Sequence, residues 1–149
     1  MTRIPTAPLL LGLAGLIPFL WGAATMYVPA LQEAGIGTFG PRFVGPFVQL
    51  SYGTIILSFM SGVLWGFATK AEGSVAASGY ALSVLPALWA FFFVGGGPTS
   101  AAVYLITGFL GLLGLDWMFW RQRLAPPWWM NLRVLLTVVV LACLSTVVI

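Results

Sequence analysis

The 149 residues are 60% hydrophobic and 6% charged, with a mean hydropathy of +1.05, and so small a chain has no soluble core able to enclose that much apolar surface. The net charge of +3 requires no nucleic-acid partner. Without histidine, and with Cys143 as its single cysteine, the chain excludes histidine-ligated haem, histidine metal sites, imidazole acid–base chemistry and an intramolecular disulfide.

Lipid is therefore the solvent for most of the chain, and backbone groups in hydrocarbon must be satisfied within helices or a closed barrel. Runs such as LLLGLAGLIPFLW and LLTVVVLACLSTVV show none of the period-two alternation of barrel strands. The prediction is an all-α integral membrane protein. Residues 1–149 form a single membrane domain, a bundle of five transmembrane helices at about 8–28, 47–69, 75–94, 101–120 and 130–148.

In chain order, the first span follows a single Arg3 and holds Pro18, which removes one backbone donor and kinks a helix. Its small residues Gly22, Ala23 and Ala24 imitate the cleavage site of a secretory signal, but the apolar run exceeds a signal core and reads as a retained span. A Gly/Pro-rich loop with Glu33 and Arg42 leads to the second span, where SYGTIILSFMSGVLWGFATK sets Thr54, Ser58, Gly62 and Gly66 four residues apart. Helices in lipid associate by close packing, and small side chains at that spacing let two backbones approach. The row reads as a helix-packing seam, within the chain or between chains. The alternative is a polar groove lined by Ser51, Tyr52, Thr54, Ser58 and Ser61.

The KAEGS turn, with Lys70 and Glu72, precedes a third span interrupted by Pro86, and the uncharged turn GGGP at 95–98 precedes the fourth. There Gly108, Gly111 and Gly114 offer a second face for close helix packing, and Asp116 is an acidic side chain inside a span. The hairpin RQRLAPPWWMN returns the chain into the fifth span and brings Arg133 to a similar depth. This predicts a buried Asp116–Arg133 ion pair at the membrane boundary, with Arg121 and Arg123 as competing partners. The pair is expected to clamp two helices; a proton or substrate site is the other role open to Asp116. Cys143 reads as a small apolar residue packed in the fifth span.

Arg3, Lys70, Arg121, Arg123 and Arg133 fall on one side of this arrangement and Arg42 alone on the other. The positive-inside rule then sets the N-terminus in the cytoplasm and the C-terminus outside. Trp117, Trp120, Trp128 and Trp129 flank the basic fourth loop as interface anchors. With no Arg/Ser-rich extension ahead of the first span, the expected location is the bacterial inner (cytoplasmic) membrane.

No phosphate loop, dinucleotide fingerprint or nucleophile elbow occurs, and no catalytic, cofactor-binding or metal-ligating set can be assembled. SYGTIILSFMSGVLWGFA and APPWWMNLRVLLTVVVLACL resemble, in order, the two signatures of a small inner-membrane family of unknown function, number 3429 among the domains of unknown function. Its animal relatives are called transmembrane protein 69. The resemblance runs from about residue 7 to the C-terminus and implies a compact helical bundle, without an activity, substrate or cofactor. The expected function is non-enzymatic: an accessory subunit or assembly factor of a larger membrane complex, acting by helix packing in the lipid bilayer. The alternative is a small transporter or lipid-handling protein using the polar face of the second span, the kinks at Pro18 and Pro86, and Asp116.

Overall fold

The computed structural model describes residues 2–149, and over them the chain is helical without strands. The helices are α1 (Thr6–Ala14), α2 (Ile17–Tyr27), α3 (Pro29–Phe39), α4 (Gly45–Ala68), α5 (Gly73–Ser83), α6 (Leu85–Phe93), α7 (Pro98–Arg121) and α8 (Trp129–Val148). With α1 running into α2 and α5 into α6, five rods are long and apolar enough to cross a membrane: Thr6–Tyr27, Gly45–Ala68, Gly73–Phe93, Pro98–Arg121 and Trp129–Val148. Each rod starts one to three residues earlier than predicted. At α4 and α7 the reason is a proline in the first turn, Pro46 and Pro98, where a missing N–H leaves no hydrogen bond unmade.

Pro18 and Pro86 interrupt their spans as the sequence predicts, each standing in the first turn of the second half-helix. Across the first break the ladder tightens, Leu16 N–H donating to the Leu13 carbonyl at 3.0 Å. At the second break a neighbour helps: Ser61 Oγ, buried on α4, accepts the Ala87 N–H at 2.8 Å.

The segment between the first two spans is not the plain loop its glycines and prolines suggest, because it contains α3. Pro29 starts that helix, and Ala30, Leu31, Gln32, Glu33 and Ala34 are good helix formers. Gly35 lets it lie against the bundle, since a Cβ there would come within 2.5 Å of Val44 Cγ1 and 2.8 Å of Trp21 Cζ2. Trp21 Nε1 donates to the Phe43 carbonyl at 2.8 Å. Leu31, Ile36 and Phe39 remain exposed.

The central element is α4, which touches α2, α5, α6, α7 and α8, while α8 packs mainly on α7 and α2. Its inward row is Gln49, Gly53, Leu57, Ser61, Leu64 and Ala68, meeting Phe19, Leu105, Phe109, Leu112, Phe119 and Leu144 in the core. This row is one residue, about 100° of helix, away from the Thr54, Ser58, Gly62, Gly66 stripe. The stripe is not a packing seam within the chain. A Cβ at Gly62 or Gly66 would meet nothing within 4 Å, and the hydroxyls of Thr54 and Ser58 bond back to the carbonyls of Leu50 and Thr54. Nor do the five polar residues of α4 share a groove, since Ser61 faces inward while Ser51 and Ser58 face outward. In the fourth span only Gly108 is a close approach: a Cβ there would stand 2.8 Å from Trp89 Cδ1 and 2.9 Å from Leu57 Cδ1. Gly111 and Gly114 have open space.

Candidate functional site: a buried ion pair in the wall of a membrane groove

The N-terminus, the α4–α5 turn and the α7–α8 hairpin meet at one end of the bundle. Asn131 Nδ2 donates to the Thr2 carbonyl at 3.1 Å, and Lys70 Nζ to the Leu124 carbonyl at 3.3 Å. The hairpin is set by a helix stop: Leu124 N–H returns to the Phe119 carbonyl and Arg123 N–H to the Trp120 carbonyl, each at 3.0 Å, with Arg123 at φ +59°. That tight return aligns the last turns of α7 with the first of α8.

The alignment brings Asp116 and Arg133 together. Asp116 Oδ2 accepts from Arg133 Nε at 2.8 Å, and Asp116 Oδ1 accepts from Trp129 Nε1 at 2.9 Å. Asp116 is fully buried and Arg133 is 5% exposed, so the pair lies away from water. Neither competitor reaches it: the Arg121 guanidinium lies over the Trp117 ring, 5.1 Å from its centroid, and Arg123 is exposed in the hairpin. Arg133 is therefore spoken for by Asp116 and does not count as a loop charge. The basic tally at this end reduces to Arg3, Lys70, Arg121 and Arg123, against Arg42 at the other.

Beside the pair lies a cavity of about 430 Å³ between α1, α2, α4 and α8. Phe19, Tyr52, Phe59, Trp129, Arg133 and Thr137 are among its lining, which is otherwise almost entirely aliphatic or aromatic. Two of these lining residues each carry a buried polar atom without a partner, Arg133 Nη2 and Thr137 Oγ1. They stand one turn apart on one face of α8. A second cavity of about 510 Å³, between α6 and α7, has no such feature. Its Thr107 hydroxyl donates to the Val103 carbonyl at 2.9 Å, and its Trp89 Nε1 to the Tyr104 carbonyl at 2.7 Å.

The tryptophans divide. Trp117 and Trp120 are exposed near the basic end, Trp120 Nε1 donating to the Pro127 carbonyl at 3.1 Å, and Trp128 is partly covered. Trp129 is more than an anchor, because it donates to Asp116 and stands edge-on to Phe67 with ring centroids 5.1 Å apart. Sequence reasoning also passed over Gln49, fully buried on α4. With its amide turned to satisfy both ends, Nε2 donates to the Cys143 carbonyl at 2.9 Å and Oε1 accepts the Ala23 N–H at 3.2 Å, linking α2, α4 and α8. A lone glutamine in an apolar segment is the signal that could have found it. Nearby, Thr25 Oγ1 accepts the Gly45 N–H at 2.7 Å and so caps α4. Cys143 is buried, and no cluster of three or more metal-ligating side chains occurs among the described residues.

The fold and its polar interior define a multi-pass helical membrane protein, five spans with a buried ion pair between the last two. The chain belongs to the family described as Protein of unknown function (DUF3429), whose model matches residues 4–149. It is 37% identical over 139 residues to Transmembrane protein 69 of Xenopus tropicalis, covering 91% of this chain and 51% of that one. The chain thus spans about half the length of this curated relative. No solved structure matches it.

Proposed function

We propose that this chain is a non-enzymatic, multi-pass protein of the bacterial inner membrane, N-terminus in the cytoplasm, that holds a lipid-like molecule in the groove between α1, α2, α4 and α8. This is the lipid-handling reading, preferred to the accessory subunit first expected. One observation carries it: an apolar cavity lined by two residues that each bury an unpaired donor, Arg133 Nη2 and Thr137 Oγ1. Unpaired polar groups in hydrocarbon are costly, and an apolar pocket with a few convergent polar groups is the usual form of a small-molecule site. The orientation rests on Arg3, Lys70, Arg121 and Arg123 at one end against Arg42 at the other. It is tested by labelling single cysteines placed at Ser74 and Thr38 in intact cells; access from outside to position 74 and not to 38 would reverse it.

The test of binding is native mass spectrometry of the protein purified from its own membranes in mild detergent. A copurifying amphiphile near one per chain, lost on washing with competing lipid, is the expected result; a bare chain refutes the reading. A second reading, the accessory subunit, is favoured by the outward stripe, whose Gly62 and Gly66 leave α4 open to a partner helix. It predicts a stoichiometric protein partner in the same spectrum that is lost in Gly62→Leu.

A further inference from the structure

Hydroxyls in the spans of this chain are normally silenced locally. Thr54, Ser58, Thr107 and Ser145 each donate to the carbonyl four residues earlier, at 2.7 to 3.1 Å. Thr137 is 2% exposed yet makes no such bond, and the carbonyl four residues earlier belongs to Arg133, whose own Nη2 is also unpartnered. Both residues line the 430 Å³ cavity from one face of one helix, with the two orphan donors packed just beneath its surface. An acceptor in the cavity toward which the two side chains turned would answer both.

The charge of that acceptor follows from what is already there. Arg133 is neutralised by Asp116 at 2.8 Å, and no other charged side chain lines the cavity. An anion would add a second negative charge close to Asp116 in a low-dielectric site, with no spare cation to balance it. A neutral carbonyl oxygen accepts both bonds and leaves the charge at zero. Depth and access narrow the source. Arg133 is the fifth residue of α8, so it lies roughly 6 Å inside the basic end of the helix, near where ester groups sit beneath lipid headgroups. The cavity continues along α8 to Val140, roughly 10 Å further down, and its rim residues Leu11, Ile55 and Phe59 are 74%, 63% and 64% exposed toward the bilayer. A chain entering sideways from the lipid would lie along this apolar floor.

Resting on the groove reading above, we infer that the ligand is a glycerolipid bound through an ester carbonyl, which accepts hydrogen bonds from Arg133 Nη2 and Thr137 Oγ1 while one acyl chain fills the groove. Headgroup charge is outside this recognition. The test is a two-by-two comparison on the full chain in neutral detergent micelles, read by native mass spectrometry. The probes are dioleoylglycerol and its dioleyl ether analogue, which has the same tails and no carbonyl; the proteins are the natural chain and Thr137→Val. The natural chain should bind the ester about five- to tenfold more tightly than the ether, the worth of one to two hydrogen bonds. Thr137→Val should reduce that preference at least twofold, leaving the share that Arg133 Nη2 supplies, while unfolding no earlier, because it deletes an unpaired buried hydroxyl. Oleate, the anionic comparator, should bind more weakly than the ester. Equal binding of ester and ether, or a preference undiminished by Thr137→Val, overturns the carbonyl assignment, and tighter binding of oleate overturns neutrality; in those cases the groove reading stands. If no probe is retained above the level of an unrelated five-span protein, the groove reading falls as well.

Discussion

Replacing Asp116 with asparagine keeps the shape of the side chain and removes its charge, which isolates what the ion pair contributes. The carboxylate is fully buried and accepts two bonds, from Arg133 Nε at 2.8 Å and Trp129 Nε1 at 2.9 Å. Asparagine has one acceptor oxygen for these two donors and turns an NH2 group toward the other. One bond to a charged group is lost, worth about 1.5–3 kcal/mol, and the Arg133 guanidinium is left without its counter-charge. Breaking one side of a buried pair typically costs about 3–5 kcal/mol, and the retained bond sets the expectation at about 3 kcal/mol. The assay is reversible unfolding in mixed micelles with increasing dodecyl sulfate, followed by helical circular dichroism. The double variant Asp116→Leu with Arg133→Met leaves neither charge stranded, only the Trp129 indole N–H, and should lie within about 1–3 kcal/mol of the natural chain. A loss below about 1 kcal/mol for Asp116→Asn would refute the clamp. So would a double variant as unstable as the two single losses added, since coupled partners do not add.

Gly22→Ala should destabilise by about 1–3 kcal/mol in the same assay, because its new methyl would meet Gln49 Cγ at 2.5 Å and Val48 Cγ1 at 2.8 Å; Gly62→Ala, facing open space in mid-helix, should cost nothing and raise stability by up to about 1 kcal/mol. Thr25→Val leaves the Gly45 N–H without its acceptor at the start of α4 and should cost about 1–3 kcal/mol, with faster amide exchange confined to the first turn of that helix. Arg123→Gly should stabilise by about 1 kcal/mol, measured as a rise in melting temperature, because a non-glycine residue now holds the left-handed position closing α7. Trp129→Phe keeps the contact with Phe67 and removes the donor to Asp116, so a loss of about 1.5–3 kcal/mol is expected, and no loss would show that the indole acts only as an interface anchor.

What was legible in the sequence is what lipid penalises in any helix. Charges at membrane depth are few and must be paired, so Asp116 and Arg133 could be matched before any coordinates, and the hairpin length fixed their level. Pro18 and Pro86 could be read as breaks for the same reason. The packing face of α4 was not legible, because a helix in hydrocarbon is apolar toward protein and toward lipid alike, and nothing in composition separates the Gly53, Leu57, Ser61 row from the Thr54, Ser58, Gly62 row beside it. The glycines show why. Gly22 is opposed by Gln49, Gly35 by Trp21 and Gly108 by Trp89, whereas Gly62, Gly66, Gly111 and Gly114 oppose nothing. A small residue marks a close approach only when a large one faces it from another helix, and that opposition is a property of the assembled bundle. The same holds for Thr137. In the sequence it is one more hydroxyl able to bond its own helix, and only the fold reveals that it does not, beside a second orphan donor and an open groove. A polar atom that forgoes the local bond its neighbours make, in a solvent that supplies no substitute, is an argument for something that arrives from outside the chain.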